Sequence, residues 1–293
     1  MTGEHAALGR PEAARDHRCS RVIPIQSDGS RAPLYFIHDL MGDIDCYRSL
    51  ASLLGPDQPV YAVRSFPTDL QGLESVEKLA ASYLADLRAF GVGPYLLGGF
   101  SFGGTVAFEM ARQLEEIGEE TLLVIMIDTW IAAADCKLRS HEQLSILWKK
   151  AKRQGVPYLF SKIRNKCIYW THRVRWLFLN LAGSTLHLLR LNPPQGIRLA
   201  LLEKANRRIL RAYQPSAYGG KVLLAASANT LEILSRRGNR FYGWDVLAGP
   251  RFEIQAVDAE HMSIMKEPGI GEIACRINEA LVALDSVTAV RVH

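Results

Sequence analysis

Residues 95–114 read YLLGGFSFGGTVAFEMARQL, and the fold turns on Gly99-Phe100-Ser101-Phe102-Gly103 within them. An apolar run (Tyr95, Leu96, Leu97) precedes this Gly-x-Ser-x-Gly pattern and a helix-forming stretch, residues 105–114, follows it. That context is a strand running through a sharp turn into a helix. Such a turn holds Ser101 in a strained backbone conformation with its hydroxyl exposed. Gly99 and Gly103 remove the Cβ atoms that would clash where strand and helix pack closely. The helix N-terminus offers N–H groups and a positive dipole end where an anionic intermediate would form. Without these flanks the pattern would read as a glycine-rich loop with an incidental serine; with them Ser101 is a candidate nucleophile.

Outward from this stretch, short apolar runs alternate with amphipathic segments. Residues 33–38 (PLYFIH) and 59–64 (PVYAVR) read as strands, with a helix over 47–54 between them. Residues 75–90 carry Val76, Leu79, Ala80, Tyr83, Leu84 and Leu87 at the helical period. After the serine come an apolar strand, 122–127 (LLVIMI), ending at Asp128, then 221–226 (KVLLAA), 252–257 (FEIQAV) and a closing helix over 270–284. Alternation of this kind predicts a mostly parallel sheet with helices on both faces. It is interrupted from 135 to 213, a stretch helical in character throughout. The expected layout is a leader without periodicity at 1–20, a core of 21–134 and 214–285, a basic helical insertion at 135–213, and a tail at 286–293.

Composition narrows the setting. The chain has 293 residues, 48% of them apolar and 22% charged, as in an ordinary soluble globular protein. Its five cysteines are scattered and form no Cys-x-x-Cys pair, so neither a disulfide framework nor a zinc site is expected. The N-terminal residues have no apolar core of a signal peptide, and no apolar run reaches spanning length. A reducing, cytoplasmic location is expected. The net charge of +5 hides an asymmetry: residues 137–212 hold seventeen Lys or Arg against Glu142 and Glu203, a net of +15. The basic face reads as solvated helices or as a docking surface for an acidic partner. Membrane contact of the insertion is a weaker reading, and nucleic acid is not expected because no recognition motif accompanies the charge.

A serine hydroxyl needs a base, and the base a third group to orient it. Among eight histidines, His261 follows the FEIQAV strand in a loop before the closing helix, where the third member of the order serine, acid, histidine falls. His38 also ends a strand but is tied to a turn. After KVLLAASA come Asn229 and Thr230, with no carboxylate until Glu232. Asp128 instead closes a fully apolar strand, where burial would be costly without a partner such as a histidine N–H. Asp128 is the expected acid, with Asp245 in reserve.

With Ser101, Asp128 and His261 in place, the chain resembles the thioesterase domains that release products from nonribosomal peptide synthetases and polyketide synthases. The matching stretches are PLYFIHDLMGDIDCYRSLASLLGPDQPVYAV, GPYLLGGFSFGGTVAFEMARQL, the strand ending in Asp128, and DAEHMSIMKEP, within residues 33–130 and 205–284. The resemblance implies an α/β-hydrolase fold whose insertion forms a lid over an acyl channel. It implies an oxyanion hole from the backbone N–H groups of Phe102 and Leu40. It also implies a substrate carried on the phosphopantetheine arm of an acyl or peptidyl carrier protein, with no cofactor or metal of the enzyme's own. The chain departs from the family where Asp39 and Leu40 follow His38 in place of proline and glycine. No carrier domain precedes the match, so a free-standing protein or an excised piece is expected. GFSFGG is nearer to product-releasing members than the Gly-His-Ser-Met-Gly of editing ones. Two other functions fit the same residues: a carboxylesterase or lipase on free esters, and a non-catalytic hydrolase fold used to bind a ligand.

Overall fold

A computed structural model describes residues 20–66, 74–91, 93–131, 140–155, 194–236, 242–244, 247 and 250–291, with a few isolated positions between 160 and 179. Seven strands form one sheet in the order β1-β3-β2-β4-β5-β6-β7. They are β1 (Val22–Gln26), β2 (Leu34–Ile37), β3 (Val60–Val63), β4 (Tyr95–Phe100), β5 (Thr121–Ile127), β6 (Val222–Ser227) and β7 (Phe252–Val257). All neighbours run parallel except β1, which pairs antiparallel with β3.

Strand side chains alternate between two buried layers, as the two-residue period requires. Tyr35, Ile37, Leu97, Val124 and Met126 face one layer, shared with α2 (Val76–Phe90) and α3 (Phe102–Glu116). Leu34, Phe36, Leu96, Ile125 and Ile127 face the other, shared with α1 (Cys46–Leu54) and α7 (Gly269–Arg291). Burial on both faces explains why these strands read as continuous apolar runs rather than alternating ones. The chain runs outward from β2 to β3, then from β4 through β5 toward β7. The switch point therefore lies between β2 and β4, where ligand sites of open α/β sheets form.

The predicted strands and helices of the core are present, within a residue or two. The predicted helix after Ser101 begins earlier, at Phe102, because Gly103 and Gly104 fit the crowded first turn. Two elements went unpredicted. Strand β1 contains Pro24, which breaks the strand signal and is tolerated because β1 lies at the sheet edge. Helix α6 (Ala228–Arg236) is a short helix starting directly from β6. Residues 285–291 continue α7, since neither Gly nor Pro stops it.

Of the predicted insertion, α4 (Ser140–Gln154) and α5 (Gln195–Ala212) are described, both helical as expected. Lys166, Arg173, Arg175, Trp170 and Trp176 of its basic stretch lie outside the described residues, as does the leader through residue 19. Helix α5 buries Ile197, Ala200, Leu202, Asn206 and Ile209 and exposes Arg198, Lys204, Arg208 and Arg211. Tyr213 closes it by donating its hydroxyl to the buried carboxylate of Glu109 on α3, at 2.8 Å. Glu109 also accepts from Arg112 and Gln113. Burial pushes its carboxyl up, but these hydrogen bonds outweigh burial and hold it below the usual range.

Candidate active site

The turn after β4 is strained where the sequence predicts it. Ser101 sits at φ 55°, ψ −114°, a region that non-glycine residues enter only when their surroundings force them. Here the forcing groups are backbone: Ser101 N–H donates to Ile127 O at 2.8 Å, and Gly104 N–H donates to Ser101 O at 3.2 Å. Thr129 Oγ1 lies 3.1 Å from Ser101 O, adding a side-chain tether. A Cβ on Gly103 would stand 2.2 Å from Ile37 O, so the N-terminus of α3 approaches β2 only because that atom is missing.

One strand over, Asp128 also has positive φ, 44°. Residues 128–131 are pinned from the other side by Trp244 Nε1 donating to Thr129 O at 3.1 Å and Ile131 N donating to Tyr242 O at 3.1 Å. Asp128 is buried, and both its carboxylate oxygens are used. Oδ1 accepts from Ser227 N–H at 3.0 Å, and Oδ2 meets His261 Nδ1 at 2.8 Å. A carboxylate accepts, so Nδ1 carries the proton and Nε2 of the neutral ring is left as the basic nitrogen. Burial, and secondarily the Asp128 carboxylate, drive the nearby Tyr242 hydroxyl far above its ordinary value.

The His261 ring lies between two aromatic side chains. Phe100, the residue before Ser101, stacks on it at 4.9 Å between centroids, and Trp130 meets it edge-on at 4.7 Å. The imidazole is therefore fixed beside the elbow by Asp128, Phe100 and Trp130 together, while about a third of its side chain stays exposed.

Of the alternative acids, the described one is held elsewhere. Glu232 is exposed on α6 and pairs with Lys149 and Arg236. Asp245 lies outside the described residues. His38 is fully buried, tied to the turn as the sequence implied, with its ring nitrogens on Asp39 O and the Tyr83 hydroxyl. Leu40 lies just past the end of β2, and Phe102 opens α3. Two residues that hold this edge gave no sequence signal. The buried Tyr47 hydroxyl donates to Ile37 O at 2.6 Å and accepts from Phe100 N–H at 2.8 Å, tying the ends of β2 and β4. Asn206 of α5 donates to Leu40 O at 3.0 Å. Such long-range pairs leave no local pattern to find. Among the described residues no cluster of ligating side chains could hold a metal, and no helix is long and apolar enough to cross a membrane.

A mostly parallel sheet carrying this elbow and an Asp–His pair at its carboxyl edge defines an α/β-hydrolase. The chain belongs to the thioesterase domain family, whose model matches residues 32–281. It is 33% identical over 250 residues to malpinin synthetase of Mortierella alpina, covering 84% of this chain but 3% of that protein. It is 30% identical over 261 residues to a non-reducing polyketide synthase of Nectria sp, covering 87% of this chain and 13% of the relative. The chain thus spans a small fraction of these curated relatives. Among solved structures, a thioesterase domain in covalent complex with a fluorophosphonate nocardicin G analog aligns with a TM-score of 0.59 at 22% identity, over 89% of this chain and 99% of that one. A four-domain nonribosomal peptide synthetase bound to AMP and glycine aligns at 0.63 and 23% identity, over 89% of this chain and 20% of the other.

Proposed function

We propose that this protein is a serine thioesterase that takes an acyl or peptidyl chain from a carrier-protein phosphopantetheine thioester through an acyl-Ser101 intermediate. The observation that carries this reading is the 2.8 Å bond from buried Asp128 to His261 Nδ1, with the ring stacked on the neighbour of Ser101. In the reaction His261 Nε2 takes the Ser101 hydroxyl proton as Oγ attacks the thioester carbonyl. The tetrahedral oxyanion is met by the N–H groups of Phe102 and Leu40. Collapse breaks the C–S bond, and the leaving thiolate takes the proton from His261. Water, or a hydroxyl or amine of the chain itself, then attacks the acyl-serine with His261 again as base. Asp128 holds the required tautomer and stabilises the imidazolium that forms.

The relatives are synthetases and a polyketide synthase, which supports a place in polyketide or nonribosomal peptide biosynthesis. The +15 charge of residues 137–212, visible on α5 as Arg198, Lys204, Arg208 and Arg211, supports an acidic carrier protein as partner. The test compares an acyl-N-acetylcysteamine thioester with a p-nitrophenyl ester of the same acyl group. The thioester is expected to be the better substrate by kcat/KM, and Ser101→Ala should lower its kcat on the order of 10⁶-fold while the protein stays folded. Activity within tenfold of wild type would remove Ser101 as nucleophile. A clear preference for the oxygen ester would favour a carboxylesterase.

A further inference from the structure

His38 is a fully buried histidine beside the site that the chemistry above does not use, and its contacts bear on Leu40. Its Nδ1 lies 2.6 Å from Asp39 O. A carbonyl oxygen only accepts, so Nδ1 carries the proton; Nε2 of the neutral ring then accepts from the Tyr83 hydroxyl at 2.7 Å. Asp39 O also accepts from Gly42 N–H at 3.1 Å. The Asp39–Leu40 bond is trans, so the Leu40 N–H points opposite to the Asp39 carbonyl. Fixing that carbonyl fixes the direction of the N–H.

The next peptide unit is held from the other side. Asn206 Nδ2 donates to Leu40 O at 3.0 Å from helix α5, which leads back from the insertion into the core, and Asn206 is itself buried. The His38 ring further packs 5.8 Å from the ring of Phe102, the residue bearing the other oxyanion donor. Side chains thus brace a segment that has Asp39 and Leu40 where proline and glycine would pre-shape it.

We propose that His38 and Asn206 are positioning residues that clamp Leu40 from two sides and aim its N–H at the oxyanion. The proposal rests on the reading of Ser101 as nucleophile. A preorganised donor is worth most where charge develops, because no reorganisation is needed at the moment of reaction. A loosened Leu40 peptide should therefore weaken the transition state and leave ground-state binding almost intact. Packing alone would predict lost stability, with normal kinetics in the molecules that remain folded.

The experiment compares His38→Leu, His38→Asn and Asn206→Leu with wild type. It reads kcat and KM on an acyl-N-acetylcysteamine thioester, Ki for an alkylboronic acid that forms a tetrahedral serine adduct, and thermal midpoints. His38→Leu should lose about 10²-fold in kcat, with Ki rising by a similar factor and KM changing less than about threefold. His38→Asn, whose amide N–H replaces that of Nδ1, should recover about tenfold of the loss. Asn206→Leu should lose about tenfold in both kcat and boronate affinity. If His38→Leu fails to fold, His38→Asn and Asn206→Leu decide the matter. Folded variants with wild-type kcat and Ki, or a loss carried wholly by KM, would overturn the clamp. An active Ser101→Ala would instead overturn the nucleophile reading, so the two failures are distinguishable.

Discussion

The turns after β4 and after β2 stand side by side at the carboxyl edge of the sheet, yet they are built by different means. After β4 the backbone does most of the work, with one side-chain tether from Thr129: paired glycines, a serine at φ 55°, and hydrogen bonds among N–H and C=O groups of β4, β5 and α3. After β2 side chains do much of it, beside a backbone bond from Gly42. Asp39 Oδ1 accepts from Met41 N–H at 2.8 Å and Asp43 N–H at 3.0 Å, His38 and Gly42 hold the Asp39 carbonyl, and Asn206 reaches in from α5. A turn shaped by missing Cβ atoms leaves a compact sequence signature. A turn shaped by side chains can be assembled from many residue types and leaves little trace.

The first turn should break sharply, and its neighbour Asp128 most of all. Asp128→Asn keeps an oxygen for Ser227 N–H but turns an amide toward His261 Nδ1, which imposes the wrong tautomer. The expected loss in kcat is on the order of 10⁴-fold with little change in thermal midpoint. Steady-state kinetics beside a melting curve checks this, and a mild effect would point to an acid elsewhere.

Gly103→Ala should come next, acting through structure. A Cβ 2.2 Å from Ile37 O forces α3 away from β2. The expected cost is about 3 kcal/mol in stability, read from urea unfolding, with kcat down about 10²-fold in whatever remains folded. Tolerance of alanine here would contradict a backbone-built elbow.

The second turn should bend rather than break. Asp39→Ala removes the acceptor for two N–H groups and should cost about 1–2 kcal/mol. Asp39→Asn retains that oxygen and should cost less than about 0.5 kcal/mol at neutral pH. Burial foremost, with the charges of Asp43 and Glu203 adding to it, raises the Asp39 carboxyl despite the two N–H groups that pull it down. Its contribution to stability is therefore full below the unfolded value and fades as pH rises through the folded one. The asparagine variant should lack that fading, which unfolding curves at several pH values would reveal. A loss as large as that of Gly103→Ala would erase the contrast between the turns.

The same contrast explains what the sequence discloses. The core strands are legible because their apolar runs face two buried layers, and Asp128 is legible because a carboxylate closing such a run needs a partner. The strand at Val22–Gln26 is obscured by Pro24, and its pairing with β3 depends on edge position rather than pattern. Asn206 is 166 residues from Leu40, and Tyr47 lies 53 from Phe100; no periodicity relates either pair. Both sit in helices where they read as unremarkable members of an amphipathic stretch.

The central claim is that Ser101 is a nucleophile activated by a histidine that Asp128 holds. The direct measurement is treatment with a fluorophosphonate, followed by peptide mass spectrometry and the rate of adduct formation. The account predicts one phosphonyl adduct, on Ser101, with labelling slowed on the order of 10³-fold or more in Asp128→Asn. An adduct on another residue of the folded, active enzyme, or equal labelling rates in the two proteins, would contradict it.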